Sequence, residues 1–115
     1  MFTGYIIVAA FLAFGLVGSA HGKLTRSERV TPGLQKAGVP LSWFPPLAAC
    51  EIAGALGLLA GIWIAPLGIA AAIGVILYFV GAVIAHVRAG DLKGLNAPLV
   101  ILAVAIAALV LRILA

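Results

Sequence analysis

Four long apolar runs, broken only by short polar or turn-forming segments, decide what this chain can fold into. The first covers Phe2 to Ala20, the second opens at Pro45 and ends near Ile64, the third spans Pro66 to Val87, and the fourth Asn96 to Leu114. At about 1.5 Å per helical residue, twenty or so residues cross a hydrocarbon core of roughly 30 Å. Glu51 and Arg112 are the only Asp, Glu, Lys or Arg residues inside the runs. A soluble origin is excluded on surface grounds. The chain has 115 residues, 65% hydrophobic and 9% charged, against about 45–50% and about 25% in soluble domains. A body this small cannot hide that much apolar surface from water. The expected fold is all-α: a four-helix transmembrane bundle running up-down-up-down as one membrane domain, residues 1–115, with both termini on the same side.

The first run also has to be weighed as a cleaved signal peptide, because Gly18 and Ala20 look like small residues at a cleavage site. No basic residue precedes it, and it is longer than an apolar signal core of about 7–15 residues, so a retained helix is expected. Between the first two runs, His21 to Leu41 holds Lys23, Arg26, Glu28, Arg29 and Lys36, with Pro32-Gly33 and Gly38 as breakers. Pro45-Pro46 and Pro98 sit where a missing N–H costs nothing, in a first helical turn. Trp43 and Phe44 suit a membrane interface. Ala65-Pro66 makes an uncharged reversal, and Arg88 to Gly94 a short polar loop.

Charge sets the expected orientation. Lys23, Arg26, Arg29, Lys36, Arg88 and Lys93 fall in the first and third loops, and Arg112 alone falls at the other side. Six against one places loops 21–44 and 88–95 in the cytoplasm and the termini outside. The net charge of +4 is therefore a membrane signal, and no nucleic-acid partner is expected. The single cysteine, Cys50, excludes an intrachain disulfide or dithiol chemistry and reads as a small packing residue.

Fourteen glycines need a reason in a helical membrane protein. Helices in lipid associate through close van der Waals packing, so small residues gather at their contacts. Gly15, Gly18 and Gly22 share one face of the first helix; Gly54, Gly57 and Gly61 share one of the second; Gly74, Tyr78, Gly81 and Ala85 form a stripe on the third. Packing within the chain is the expectation, with a homodimer face as the alternative.

Glu51 is the sharpest polar feature. An ionisable group at membrane depth costs up to roughly 2.5–3.5 kcal/mol at a helix centre, so Glu51 should face the bundle or a wet cavity. Helix direction brings Ser19, His21, Lys23, His86, Arg88, Asp91 and Asn96 to the same end. Three readings follow. Glu51 pairs with Arg88 or a histidine and fixes the packing. Alternatively, Glu51, His86, His21, Arg88, Asp91 and Asn96 surround a ligand or proton site, since histidine titrates near pH 6.5 when unperturbed. A metal held by His21, His86 and Glu51 has suitable donor types but no tight ligand spacing, and none is expected. Haem would have to use the same two histidines at helix ends. No nucleophile elbow, P-loop, His-Glu-x-x-His or Cys-x-x-Cys is present, so the catalytic residues are unassigned and a non-catalytic role is favoured.

The stretch from Gly38-Val39-Pro40 to Asp91 resembles the DoxX-like family of small bacterial membrane proteins. It does so through Glu51 with Gly54-Ala55 and Gly57, and through Gly81-Ala82-Val83-Ile84-Ala85-His86-Val87-Arg88-Ala89-Gly90-Asp91. The segment Phe14 to Leu24 resembles the end of that family's first helix. The resemblance implies a four-helix membrane bundle and a link to membrane redox assemblies, one of them quinol-oxidising. Glu51, His86, Arg88 and Asp91 match its polar positions, with no catalytic role attached. The expected function is a non-catalytic subunit or assembly partner of a membrane complex, among other subunits or as a homodimer. The alternatives are a quinone-linked or other small-molecule-binding redox protein with a site near Glu51 and His86, and, third, a small proton-coupled exporter.

Overall fold

The structure is a computed structural model and describes residues 1–28 and 31–115. Helix α1 covers Phe2–Leu24, α2 Thr31–Lys36, α3 Phe44–Ala60, α4 Ala65–Arg88 and α5 Asn96–Leu114. Short 3₁₀ turns, Leu41–Trp43 and Leu92–Leu95, lead into α3 and α5. Among the described residues, four segments are long and apolar enough to cross a membrane: Phe2–Leu24, Leu41–Ala60, Ala65–Arg88 and Leu92–Leu114. Only 17–28% of each is buried inside the bundle. Side chains such as Phe11, Phe14 and Trp63 point outward, so lipid must cover what the helices do not.

In cross-section the long helices form a ring in which α1 packs beside α3 and α5, and α4 closes it from the opposite corner, also beside α3 and α5. The core runs along α1 through Tyr5, Ala9, Leu12, Leu16 and Ala20, and meets Ala55, Leu58, Ala72, Val75, Ala105 and Ala108. Residues recurring every three or four positions form one stripe of a helix.

The bundle is pinched at the end that carries the α3–α4 turn. A Cβ on Gly61 would strike the Gly68 backbone and the Tyr5 hydroxyl, and one on Gly57 would lie 2.7 Å from the Ala71 Cβ. Helix α3 stops at Ala60, four residues short of the expected end, because Gly61–Trp63 turn and Ile64 is extended. Its last carbonyls therefore need donors from elsewhere. Tyr5 Oη donates to the Leu58 carbonyl at 2.7 Å, and Arg112 Nε to the Gly61 carbonyl at 2.8 Å. The Arg112 guanidinium also lies 5.5 Å from the Phe2 ring centre and 5.6 Å from that of Tyr5. The basic residue at this end is thus a helix-end staple rather than one that merely reaches for the interface. Tyr5→Phe strands a buried carbonyl and lowers stability by about 1–3 kcal/mol, measurable as a loss in thermal unfolding in detergent.

At the other end the helices part. Helix α1 continues through Leu24, four residues beyond Ala20, and so carries Lys23 on its buried face. Pro32 and Gly33, expected to break structure, lie inside α2, where a proline in the first turn is tolerated. The breaker that acts is Gly38: its φ of +86° and the Val39 N–H bond to the Leu34 carbonyl end α2. Arg29 lies outside the described residues.

Gly54, Gly57 and Gly61 meet other helices closely. Gly15, Gly18, Gly74 and Gly81 have nothing within 4 Å of a built Cβ, so those four do not serve packing within the chain. Cys50 is exposed on α3 rather than packed inside.

Candidate functional site

Two polar clusters occupy the open end, both built from helix-borne side chains. The inner one forms where α1 crosses α3. Lys23 Nζ pairs with Glu51 Oε1, both side chains being buried. Lys23 also donates to Ser19 Oγ, one turn back on α1, at 2.8 Å. Tyr78 Oη of α4 donates to the same Glu51 oxygen at 3.3 Å. Glu51 Oε2 is buried and has no partner among the described residues. An ammonium carries three donors, and Lys23 commits two of them to Ser19 and Glu51.

The expected partner of Glu51 was Arg88 or a histidine, and the structure pairs it with Lys23 instead. The reason is helical phase. The buried stripe Tyr5, Ala9, Leu12, Leu16 of α1, continued by two turns through Ala20, reaches Lys23 on the α3 side. Arg88 ends α4 on its exposed face.

The outer cluster joins the end of α4 to the start of α5. His86 Nδ1 lies 2.9 Å from Asp91 Oδ2, and Lys36 Nζ lies 3.4 Å from Asp91 Oδ1. The Gly94 N–H donates to Oδ1 at 3.3 Å and caps the 3₁₀ turn before α5. A Cβ at position 94 would strike the Asp91 carboxylate and come within 2.8 Å of His86 Nδ1, so a larger residue there has to displace these side chains. The His86 hydrogen bond, opposed by desolvation and helped by Lys36 and the Gly94 N–H, holds the Asp91 carboxyl below the usual carboxylate range. A folded-state pKa below the unfolded value of about 3.9 stabilises the fold above that value, and the gain is lost as pH falls through the folded one. Unfolding midpoints followed downward from neutral pH should therefore drop more steeply for the parent protein than for Asp91→Asn, which starts lower and has no such carboxyl to protonate.

Between the clusters the parted helices leave a cavity of about 590 Å³. Its polar wall carries Ser19, Lys23, Tyr78, His86 and Asp91; its apolar wall includes Leu34, Leu47, Phe79 and Ile101. Residues of α2 and of the Gly38 turn roof it. The polar groups sit at two levels: Lys23, His86 and Asp91 near the helix ends, Ser19 and Tyr78 a turn or more deeper. The volume lies within the roughly 300–1,000 Å³ of small-molecule sites.

Of the expected site residues, Glu51 joins the inner cluster, His86 and Asp91 the outer one, and His86 and Asp91 also line the cavity. His21 and Asn96 are exposed, as is Arg88; none of the three lines the cavity. Lys23, Ser19, Tyr78 and Lys36 complete the arrangement. Lys23 and Ser19 were legible as neighbours one turn apart on the stripe of α1. Lys36 carried no such signal, because α2 is too short for a periodicity.

Comparison with curated proteins and with solved structures gives no match. A family model does match, over residues 7–108, which takes in the whole of α3 and α4, most of α1 and α5, and both polar clusters. The four membrane-spanning helices and this match together make the chain a multi-pass membrane protein that belongs to the DoxX-like family.

Proposed function

We propose that this protein is a membrane-embedded binding protein that holds one small amphiphilic molecule between its helices. The cavity carries the reading: it is large enough for a ligand, and its wall sets Lys23, His86 and Asp91 near the helix ends, with Ser19 and Tyr78 deeper, against a larger apolar lining. Protein purified in mild detergent and extracted with solvent should release a single class of amphiphile, near one molecule per chain, by mass spectrometry. Extracts that match an unrelated membrane protein purified alongside would end the proposal. A quinone has the required form, a polar head on an apolar tail. Recovering one would attach the protein to a membrane redox assembly. The exporter reading is weaker, because Lys23 already occupies Glu51.

A second reading, a subunit of a larger membrane complex, draws on a different surface. Gly15 and Gly18 are open on α1, and Gly15 borders a shallow dent between α1 and α5 lined by Phe11, Leu12, Val100 and Val104. A helix from another subunit or a second copy fits such a surface. Recovery of the protein only as a lone chain from native membranes would count against it. For the orientation, the basic end is assigned to the cytoplasm on charge asymmetry. Thiol labelling of single cysteines introduced at Ser42 and at Ala115 of a Cys50→Ala chain should mark the first only from the cytoplasmic side.

A further inference from the structure

We infer that the head of the ligand is an anionic oxygen group, a carboxylate or phosphate on a single apolar chain, and that Lys23 receives it; this rests on the binding role proposed above. Lys23 lines the cavity and is buried, at 5% exposure, the one buried basic residue among those described. Glu51 does not line it. The carboxylate thus stands behind the ammonium, fixing its position from the α3 side. Two of the three Lys23 donors are used inside the protein, and the third is available to a ligand. A charge-assisted bond to an anionic oxygen is the strongest use of such a donor.

The surrounding charge favours the same sign. Lys23, Arg26, Lys36, Arg88 and Lys93 share this end with Glu28, Glu51 and Asp91. Asp91, the acidic residue in the cavity wall, is already matched by His86, Lys36 and the Gly94 N–H, so its repulsion of an anion is offset. The deeper wall, with Phe79 about two and a half turns inside the end of α4 and Ile101 of the adjoining α5, takes the chain. Glu51 is in this account a positioning residue, and Lys23 the specificity-determining one.

Trp43 borders the cavity, whereas Trp63 lies beyond the far end of α3. In the full chain carrying Trp63→Phe, quenching of Trp43 fluorescence reports binding of a brominated probe. The probes are a fatty acid brominated a few carbons from its carboxylate, the alcohol brominated at the same carbon and a bromo-substituted benzoquinone with a short alkyl chain. The acid should bind roughly tenfold tighter than the alcohol, the scale of one charge-assisted bond. Because Lys23→Met alone strands Glu51, the decisive variant is Lys23→Met with Glu51→Gln, which removes both charges and keeps an acceptor for Tyr78. It should retain alcohol binding and lose the preference for the acid. Equal affinity for acid and alcohol in the parent, tighter binding of the quinone, or a preference that survives in the double variant each overturns the inference while leaving the binding role intact. Quenching by none of the three overturns both.

Discussion

Lys23→Met should destabilise the protein by about 3–5 kcal/mol, the cost of removing one partner of a buried ion pair. Glu51 would keep only the 3.3 Å Tyr78 contact, on the oxygen Lys23 vacates, while Oε2 stays unpartnered. Most of the cost is that of a carboxylate left without its cation, not the worth of the pair itself. The double variant with Glu51→Gln should therefore recover most of the loss, although it has lost the ion pair altogether. Thermal unfolding of the two single variants and the double one forms a cycle that isolates the coupling. Additive losses would show that the pair is not coupled and would remove the structural reason for a glutamate at membrane depth.

The second large effect is expected at the opposite end. Gly61→Ala puts a methyl group against backbone atoms of Gly68 and, at 2.6 Å, against the Tyr5 hydroxyl. A flexible side chain could yield, but a backbone cannot without moving α3 from α4. Overpacking costs about 1–3 kcal/mol, and displacing Tyr5 from the Leu58 carbonyl adds about 1 kcal/mol, so a loss near 2–4 kcal/mol is expected. Gly15→Ala and Gly18→Ala supply the control. With open space around both positions, and alanine the better helix former, neither should lower the unfolding midpoint. A Gly61→Ala protein as stable as its parent would mean that the helices are not pinched there.

The lipid-facing surface and the cavity follow from the same two ends. Close approach of α3 to α4 at Gly57, Gly61 and Gly68 pinches one end of the ring of helices, and the cavity opens at the other. The cavity there is a consequence of where the glycines touch.

How much of this was legible beforehand depends on the scale of the interaction. The four spans could be read from the sequence because membrane thickness acts on contiguous stretches of chain, and a run of twenty apolar residues records it locally. The gathering of polar groups at one end was legible for a related reason: alternating helix direction fixes which residues share a level. Pairing was not. Whether Glu51 meets Lys23 or Arg88 turns on the rotation of α1 against α3, and that rotation is settled by contacts between residues far apart in sequence. The glycines divide in the same way. Gly15 and Gly61 stand in similar patterns, yet only Gly61 has a backbone across from it. Sequence by itself determined the number of membrane-spanning helices and the end of the bundle where polar groups gather. Tertiary structure decided which charges neutralise each other, which glycines are obligatory and that a cavity lies between the helices, because each of these depends on distances between separate helices.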